Sequence, residues 1–271
     1  MKIAVLGAGN MGGWFVRMLG RNHQVGVMDI DPGRAEKLRP AAVLPDFASV
    51  GSFGPDILIN AVSLRNTLAA FEAVLPHLPR ECLISDIASV KGGLPEFYAR
   101  SPFRFASAHP MFGPTFADID RVADENAVII RESDREGAEF FRKTFAALGL
   151  NIYEYTFDEH DRMIAYSLAM PFASTMVFAA CLDNTAVPGT TFKKHYEIAK
   201  GLLSEDDFLL SEILFSPYSL TQLENVSNRL NFLRRVIEQK DDEEAIRFFN
   251  RLRRNISLRT GEAPEVEKSV R

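Results

Sequence analysis

The sequence predicts an α/β fold: a Rossmann-type, doubly wound parallel sheet over residues 1–156, followed by an all-α dimerisation domain over 157–258 and a polar tail or linker over 259–271. Three observations predict it. The chain opens on an apolar strand that runs into Gly7-Ala8-Gly9-Asn10-Met11-Gly12 and then a helix. Strand-like and helix-like patterns alternate up to Tyr155, as βαβ units do. From Glu159 onward the alternation stops and only long helical patterns remain.

Composition narrows the function classes. The chain has 271 residues, 46% hydrophobic and 25% charged, which suits a soluble globular protein with a sizeable core. Its net charge of −5, with both signs interspersed, argues against a nucleic-acid footprint or membrane-surface binding. Cys82 and Cys181 lie far apart in apolar surroundings and read as buried, reduced thiols of a cytoplasmic protein, not as a disulfide or a metal pair. Lys2 to Leu6 works better as a first strand than as a signal peptide. The uncharged run Met163 to Leu182 contains Tyr166, Ser167, Pro171, Ser174 and Thr175, and reads as a buried core helix instead of a membrane span.

Taken in order, each element has a local reason. Gly7 allows the tight turn after the first strand, Gly9 lets a pyrophosphate approach bare backbone, and Gly12 lets the helix Met11 to Leu19 pack closely. The N-terminus of that helix offers free N–H groups to phosphates, with Asn10 and Met11 in its first turn. The second strand, Gln24 to Met28, ends in Asp29, 20 residues after Gly9, where an acid holds the adenosine ribose. Its carboxylate repels a 2′-phosphate, so NAD is the expected cofactor, and Arg34 keeps NADP open. A helix over Pro32 to Leu38, a short strand near Ala42 to Leu44 and a turn-rich stretch from Ser49 to Pro55 come next.

The run Asp56 to Val62 reads as a strand covered on both faces, which places Val62 and Ser63 at its carboxyl end, the edge where ligands bind in open α/β sheets. After a helix (Asn66 to Leu75) and a strand (Cys82 to Asp86) comes Asp86-Ile87-Ala88-Ser89-Val90-Lys91. Ser89 sits where either a helix N-cap or an active-site hydroxyl belongs. A strand over Phe103 to Ala106 leads to Ser107-Ala108-His109-Pro110-Met111-Phe112-Gly113-Pro114, whose prolines and glycine predict a rigid loop. His109 there is either a base or a histidine that merely bonds within a Pro-rich turn. Ala127 to Ile130, a helix over Asp134 to Leu148 and a strand over Asn151 to Tyr155 close the first domain. Helices over Asp206 to Phe215, Leu220 to Lys240 and Asp241 to Arg254, with a lysine-bearing segment Phe192 to Lys200, carry more apolar faces than a small unit hides alone, which suggests a partner subunit.

Together, Gly7 to Gly12, Asp86 to Lys91, His109 to Pro114 and Glu159-His160-Asp161 resemble the prephenate/arogenate dehydrogenase family, over most of the chain to about residue 255. The resemblance implies a Rossmann-type domain, a helical domain that forms a homodimer, and a site in the cleft between them. It implies oxidative decarboxylation of prephenate to 4-hydroxyphenylpyruvate in tyrosine biosynthesis, with His109 as proton acceptor and Ser89 as its hydrogen-bonding companion. His160, Lys200 and Thr115 are the implied substrate contacts. Two positions depart from the family. Phe172 stands where a histidine is common, and Gly201, next to Lys200, stands where an arginine binds a carboxylate; Lys193 and Lys194 are further cations nearby. Three alternatives stay open: an arogenate dehydrogenase; another NAD(P) oxidoreductase of the β-hydroxyacid dehydrogenase or imine reductase type, which would rely on a lysine or a different loop in the second domain; and a non-catalytic dinucleotide sensor.

Overall fold

A computed structural model describes residues 1–113, 121–183 and 187–260 of the chain. Its strands are β1 (Lys2–Leu6), β2 (Gln24–Met28), β3 (Ala42–Val43), β4 (Ile57–Asn60), β5 (Leu83–Asp86), β6 (Phe105–Pro110), β7 (Asn126–Ile130) and β8 (Asn151–Tyr155). They form one sheet in the order β3-β2-β1-β4-β5-β6-β7-β8. Pairing is parallel from β3 through β6, antiparallel between β6 and β7, and parallel again between β7 and β8. The order reverses between β1 and β4, which opens a crevice at their carboxyl ends.

Two apolar layers sandwich this sheet. On one face lie α1 (Asn10–Leu19) and α6 (Arg135–Ala146), with Trp14, Phe15, Phe141 and Phe145 in the core. The short α2 (Pro32–Lys37) joins that layer through Ala35, and on the other face lie α3 (Phe47–Phe53), α4 (Thr67–Val74), α5 (Leu94–Arg100) and the start of α7 (Phe157–Ile164). Phe71 stacks on Phe97 with ring centroids 5.0 Å apart. Each such ring contributes about 1.5–3 kcal/mol by leaving water, so the strand ends that carry polar groups rest on a rigid base.

Several helices start on side-chain caps that the sequence supplies. Asp31, Asp46, Asp134 and Asp206 accept N–H bonds at the starts of α2, α3, α6 and α10 (Asp207–Leu214). Thr156 and Glu159 form a reciprocal capping box on α7. That helix continues through one π-helical turn, Ala165–Ala169, into α8 (Met170–Ala180). Pro171 has no N–H to give, and the widened turn before it absorbs the missing bond. After α9 (Thr190–Leu202) and α10 come α11 (Ser219–Gln239) and α12 (Asp242–Thr260).

The chain divides into two compact units, residues 1–220 and 221–271. Within the second, Phe232 of α11 meets Phe248 of α12 at 5.1 Å, and the Arg251 guanidinium lies over the Phe232 ring at 5.6 Å.

The structure departs from the sequence expectations at five places. Ser49 to Pro55 is mostly helix α3, stopped by Gly54 in a left-handed conformation. His109 and Pro110 are not in a loop but in β6, because β7 pairs with that strand beyond Ala106. Ser89 is no helix cap, since α5 begins at Leu94 behind Gly93. The uncharged run is buried only in its first turns; α8 has no buried residue, though Phe157–Ala180 is long and apolar enough to span a membrane. Cys82 is buried, its thiol pushed up to about 12 by burial, whereas Cys181 at the end of α8 is exposed. Of the expected tail, 261–271 lies outside the described residues, and α12 runs through Thr260.

Candidate active site

The first βα turn leaves room for an anion at the start of α1. Gly7 has φ +94°, and a Cβ there would meet the Ala61 carbonyl oxygen at 2.8 Å. A Cβ on Gly12 would lie 1.9 Å from the Gly7 carbonyl oxygen, so only glycine lets α1 sit on the turn. Gly9 differs from both: nothing lies within 4 Å of its missing Cβ. It is the N-cap of α1 without a side-chain cap, which leaves the N–H groups of that end facing open space. A pyrophosphate fits there, and Gly9 keeps its path clear.

Asp29 closes the turn from the second strand. Its Oδ2 accepts the Ala8 N–H at 2.6 Å, and its Oδ1 accepts the Asp31 N–H at 2.8 Å. A pocket of about 500 Å³ opens over Gly9 and Asn10, with Arg17, Arg34 and Lys37 on its walls. Arg34 is paired with Asp31 at 3.6 Å. Val62 and Ser63 follow β4 at the same edge, where the Asn60 carboxamide accepts the Val62 N–H and Ser63 Oγ accepts from Asn66 Nδ2. Met11 packs its side chain inward against the core.

The second cluster lies at the ends of β5 and β6. His109 is 6% exposed, and its Nδ1 lies 3.0 Å from Nε2 of His160, which projects from α7 and is fully buried. His160 Nδ1 lies 3.1 Å from an Asp161 carboxylate oxygen. Beneath them runs a buried ion pair. Lys91 Nζ donates to Asp86 Oδ2 at 2.7 Å and to the carbonyl of Ala108 at 2.8 Å, and the Tyr98 hydroxyl donates to Asp86 Oδ1 at 2.7 Å. Asp86 also accepts the Ala88 N–H, fixing the turn that carries Ser89. Ser89 itself is half-buried, with no hydrogen-bond partner among the described residues.

Electrostatics follow from that burial. Loss of water, then the facing His160 ring and the Lys91 charge, hold the His109 imidazole well below its ordinary value. Burial also lowers His160, against the bond from Asp161 that favours its charged form. Lys91 is lowered by burial against the pull of Asp86, and the Tyr98 phenol is raised by burial and the same carboxylate. At neutral pH the two imidazoles are therefore uncharged, which is the state of a proton acceptor.

The predicted residues thus fall into groups. Gly7, Gly9, Asn10, Gly12 and Asp29 come together at one turn, and His109 and His160 touch. Lys200 does neither: it is exposed on α9 and faces Glu197 at 3.9 Å. Lys193 and Lys194 are exposed on the same helix. Thr115 lies outside the described residues. His160 does not cap α7, a task done by Thr156 and Glu159. The sequence reading missed Lys91, Tyr98 and Asp161 as parts of the site, and Arg17 and Lys37 at the pocket. Asp86 with Lys91 in one motif and Asp161 beside His160 in another carried a signal, whereas Tyr98, Arg17 and Lys37 carried none.

Comparison with known proteins places this geometry in context. Residues 13–140 match the family model described as prephenate dehydrogenase, nucleotide-binding domain. A probable arogenate/prephenate dehydrogenase of Methanocaldococcus jannaschii is 24% identical over 263 residues, covering 90% of this chain and 58% of that protein. The T-protein of Enterobacter agglomerans is 26% identical over 262 residues, covering 92% and 66%. The chain therefore spans about three fifths of the length of these curated relatives. The crystal structure of prephenate dehydrogenase from A. aeolicus in complex with hydroxyphenyl propionate and NAD+ superposes with a TM-score of 0.78 at 19% identity, covering 93% of this chain and 96% of that one. Synechocystis arogenate dehydrogenase gives 0.71 at 20% identity, covering 93% and 97%. Likeness at such identity speaks for a shared fold.

Proposed function

We propose that the chain is a member of the prephenate/arogenate dehydrogenase family, whose nucleotide-binding-domain model matches residues 13–140, and that it oxidatively decarboxylates prephenate to 4-hydroxyphenylpyruvate with NAD as cofactor. One observation carries the reading: an uncharged, nearly buried His109 at the ligand edge of the sheet, whose Nε2 has no protein partner among the described residues. The open face at Gly9 and the uncapped start of α1 support dinucleotide binding, and NAD bound there supplies the hydride acceptor.

The residues then divide the work. Gly7, Gly9 and Gly12 with Asn10 and Met11 shape the phosphate turn, Asp29 receives the ribose, and Val62 and Ser63 border the crevice. His109 Nε2 accepts the hydrogen bond of the ring C4 hydroxyl and takes its proton as positive charge develops at C4. It returns that proton to the product oxygen once CO2 has left, so protons balance over the turnover. Ser89 donates to or accepts from the same hydroxyl and orients it. Aromatisation drives the chemistry, so orientation and one proton acceptor suffice. Lys200 and Thr115 are the proposed substrate contacts, with a cation needed for each carboxylate, whereas His160, fully buried with both ring nitrogens engaged, stands behind His109.

Asp29 is the basis for NAD over NADP, since its carboxylate repels a 2′-phosphate. Cytoplasmic location and a homodimer complete the proposal. A β-hydroxyacid dehydrogenase or imine reductase chemistry would rest on a lysine or a different loop in the helical part of the chain; Lys193, Lys194 and Lys200 there are exposed, and Lys200 faces Glu197 at 3.9 Å. The test is absorbance at 340 nm with prephenate and with arogenate, each with NAD and NADP. We expect NADH formation with prephenate, and a loss of about two to four powers of ten in kcat for His109→Asn. Signal with arogenate alone moves the substrate to the amino compound. No signal with either, while NAD still binds, favours the sensor reading.

A further inference from the structure

The proton acceptor of this site has two nitrogens, and its neighbours decide which one is basic. An ionised carboxylate only accepts hydrogen bonds, so the Asp161 oxygen 3.1 Å from His160 Nδ1 requires the proton on that Nδ1. Uncharged His160 then has a lone pair on Nε2. That atom lies 3.0 Å from His109 Nδ1, so His109 must donate through Nδ1–H. Uncharged His109 is left with its lone pair on Nε2, the one ring nitrogen of the pair with no protein partner among the described residues. Each step follows from valence.

We infer that Asp161 and His160 are positioning residues that fix His109 in its Nδ1–H tautomer and so present Nε2 as the acceptor. This rests on the reading of His109 as the base, and gives His160 a role behind the reacting imidazole, as its full burial requires. Free imidazole favours the opposite tautomer, with the proton on Nε2, so without the relay His109 would turn its N–H outward. Three other charged or titratable groups bear on the two rings. Lys91 lies beneath both and disfavours their protonation, and the Asp86 and Asp161 carboxylates favour a charged His160. When His109 takes a proton, the relay ends on the Asp161 carboxylate, which spreads the charge without a second proton leaving the pair.

The test is two-bond 15N–1H correlation NMR on full-length protein labelled at histidine, which reads the tautomer of His109 directly; the chain has five histidines, and His109→Asn assigns the signal. We expect Nδ1–H for His109 in the unaltered protein. Asp161→Asn, which supplies a donor in place of an obligate acceptor, should shift His109 toward Nε2–H and lower kcat about 10- to 1000-fold with KM changed little. His160→Gln keeps an acceptor at the same reach and should retain more activity than His160→Leu. Far-UV circular dichroism and thermal melts confirm that each variant is folded. Nε2–H in the unaltered protein overturns the inference whatever the activity, and so does an unchanged tautomer in folded Asp161→Asn and His160→Leu. Nδ1–H that is lost in the variants, in a protein inactive on both substrates, upholds the relay and removes the dehydrogenase reading instead.

Discussion

Lys91 shows how the site is tuned at the scale of single residues. A fully buried ammonium is tolerated because it meets a carboxylate and a carbonyl at once, and the Asp86 carboxylate it meets is further satisfied by Tyr98 and a backbone N–H. Burial first, and this charge after it, holds both imidazoles below their ordinary value and so neutral. That neutrality has a consequence for stability. His109 and His160 have lowered values in the folded state, so below the ordinary histidine value of about 6.5 the unfolded chain takes up protons that the native one refuses. Stability is unaffected by these groups above that value and falls as pH drops through it, by up to about 1.4 kcal/mol per pH unit for each imidazole. Urea denaturation between pH 7.5 and 5.5 should show this slope, and His160→Gln should roughly halve it; His23, also lowered by burial, adds a smaller component of the same sign that persists. A flat profile would mean that the pair is charged when folded. His109 was legible because its motif is local. The places of His160 and Lys91 beside His109 were not legible, because the His109–His160 and Lys91–Ala108 contacts join residues 51 and 17 positions apart.

At the scale of elements, three glycines of one turn separate folding from binding. Gly12→Ala places a methyl carbon 1.9 Å from the Gly7 carbonyl, and neither α1 nor β1 can yield without disturbing the core around Phe15. Gly9→Ala meets nothing within 4 Å, and its φ of −72° suits any L residue. Gly9→Ala should therefore melt within a degree or two of the unaltered protein and bind NAD at least tenfold more weakly by calorimetry. Gly12→Ala should lose about 1–3 kcal/mol of stability or more, the scale of overpacking in a fixed frame. Equal melting temperatures for the two would refute the account of the turn. This part of the fold was readable because a turn, a cap and a helix start are decided by neighbours in sequence. Helix α3 was readable in principle from Asp46 and Gly54, its cap and stop, but Ser and Gly within it weaken the helical pattern. The extension of β6 through Pro110 was not, because it depends on β7, whose Val128 lies opposite His109.

For the whole molecule, the second unit poses the remaining question. Along α11, Leu223, Leu230 and Ile237 recur every seventh residue, and all three are exposed. On α12, Ile246, Phe249, Leu252 and Ile256 are exposed as well. Two helices of 21 and 19 residues cannot hide this much apolar surface between them, and a seven-residue spacing is the signature of a seam between helices. A second copy of the chain is the occupant that the sequence pattern suggested. If so, light scattering after size exclusion should give twice the chain mass at micromolar concentration. Leu230→Glu with Ile237→Glu should yield a monomer, because two charges buried in an apolar seam without partners cost several kcal/mol per copy. These positions lie far in sequence from the groups assigned to chemistry, so NAD affinity measured at the α1 turn should survive in that monomer even where turnover does not. An unaltered chain that runs as a monomer at tens of micromolar would remove the second copy as the occupant of this face.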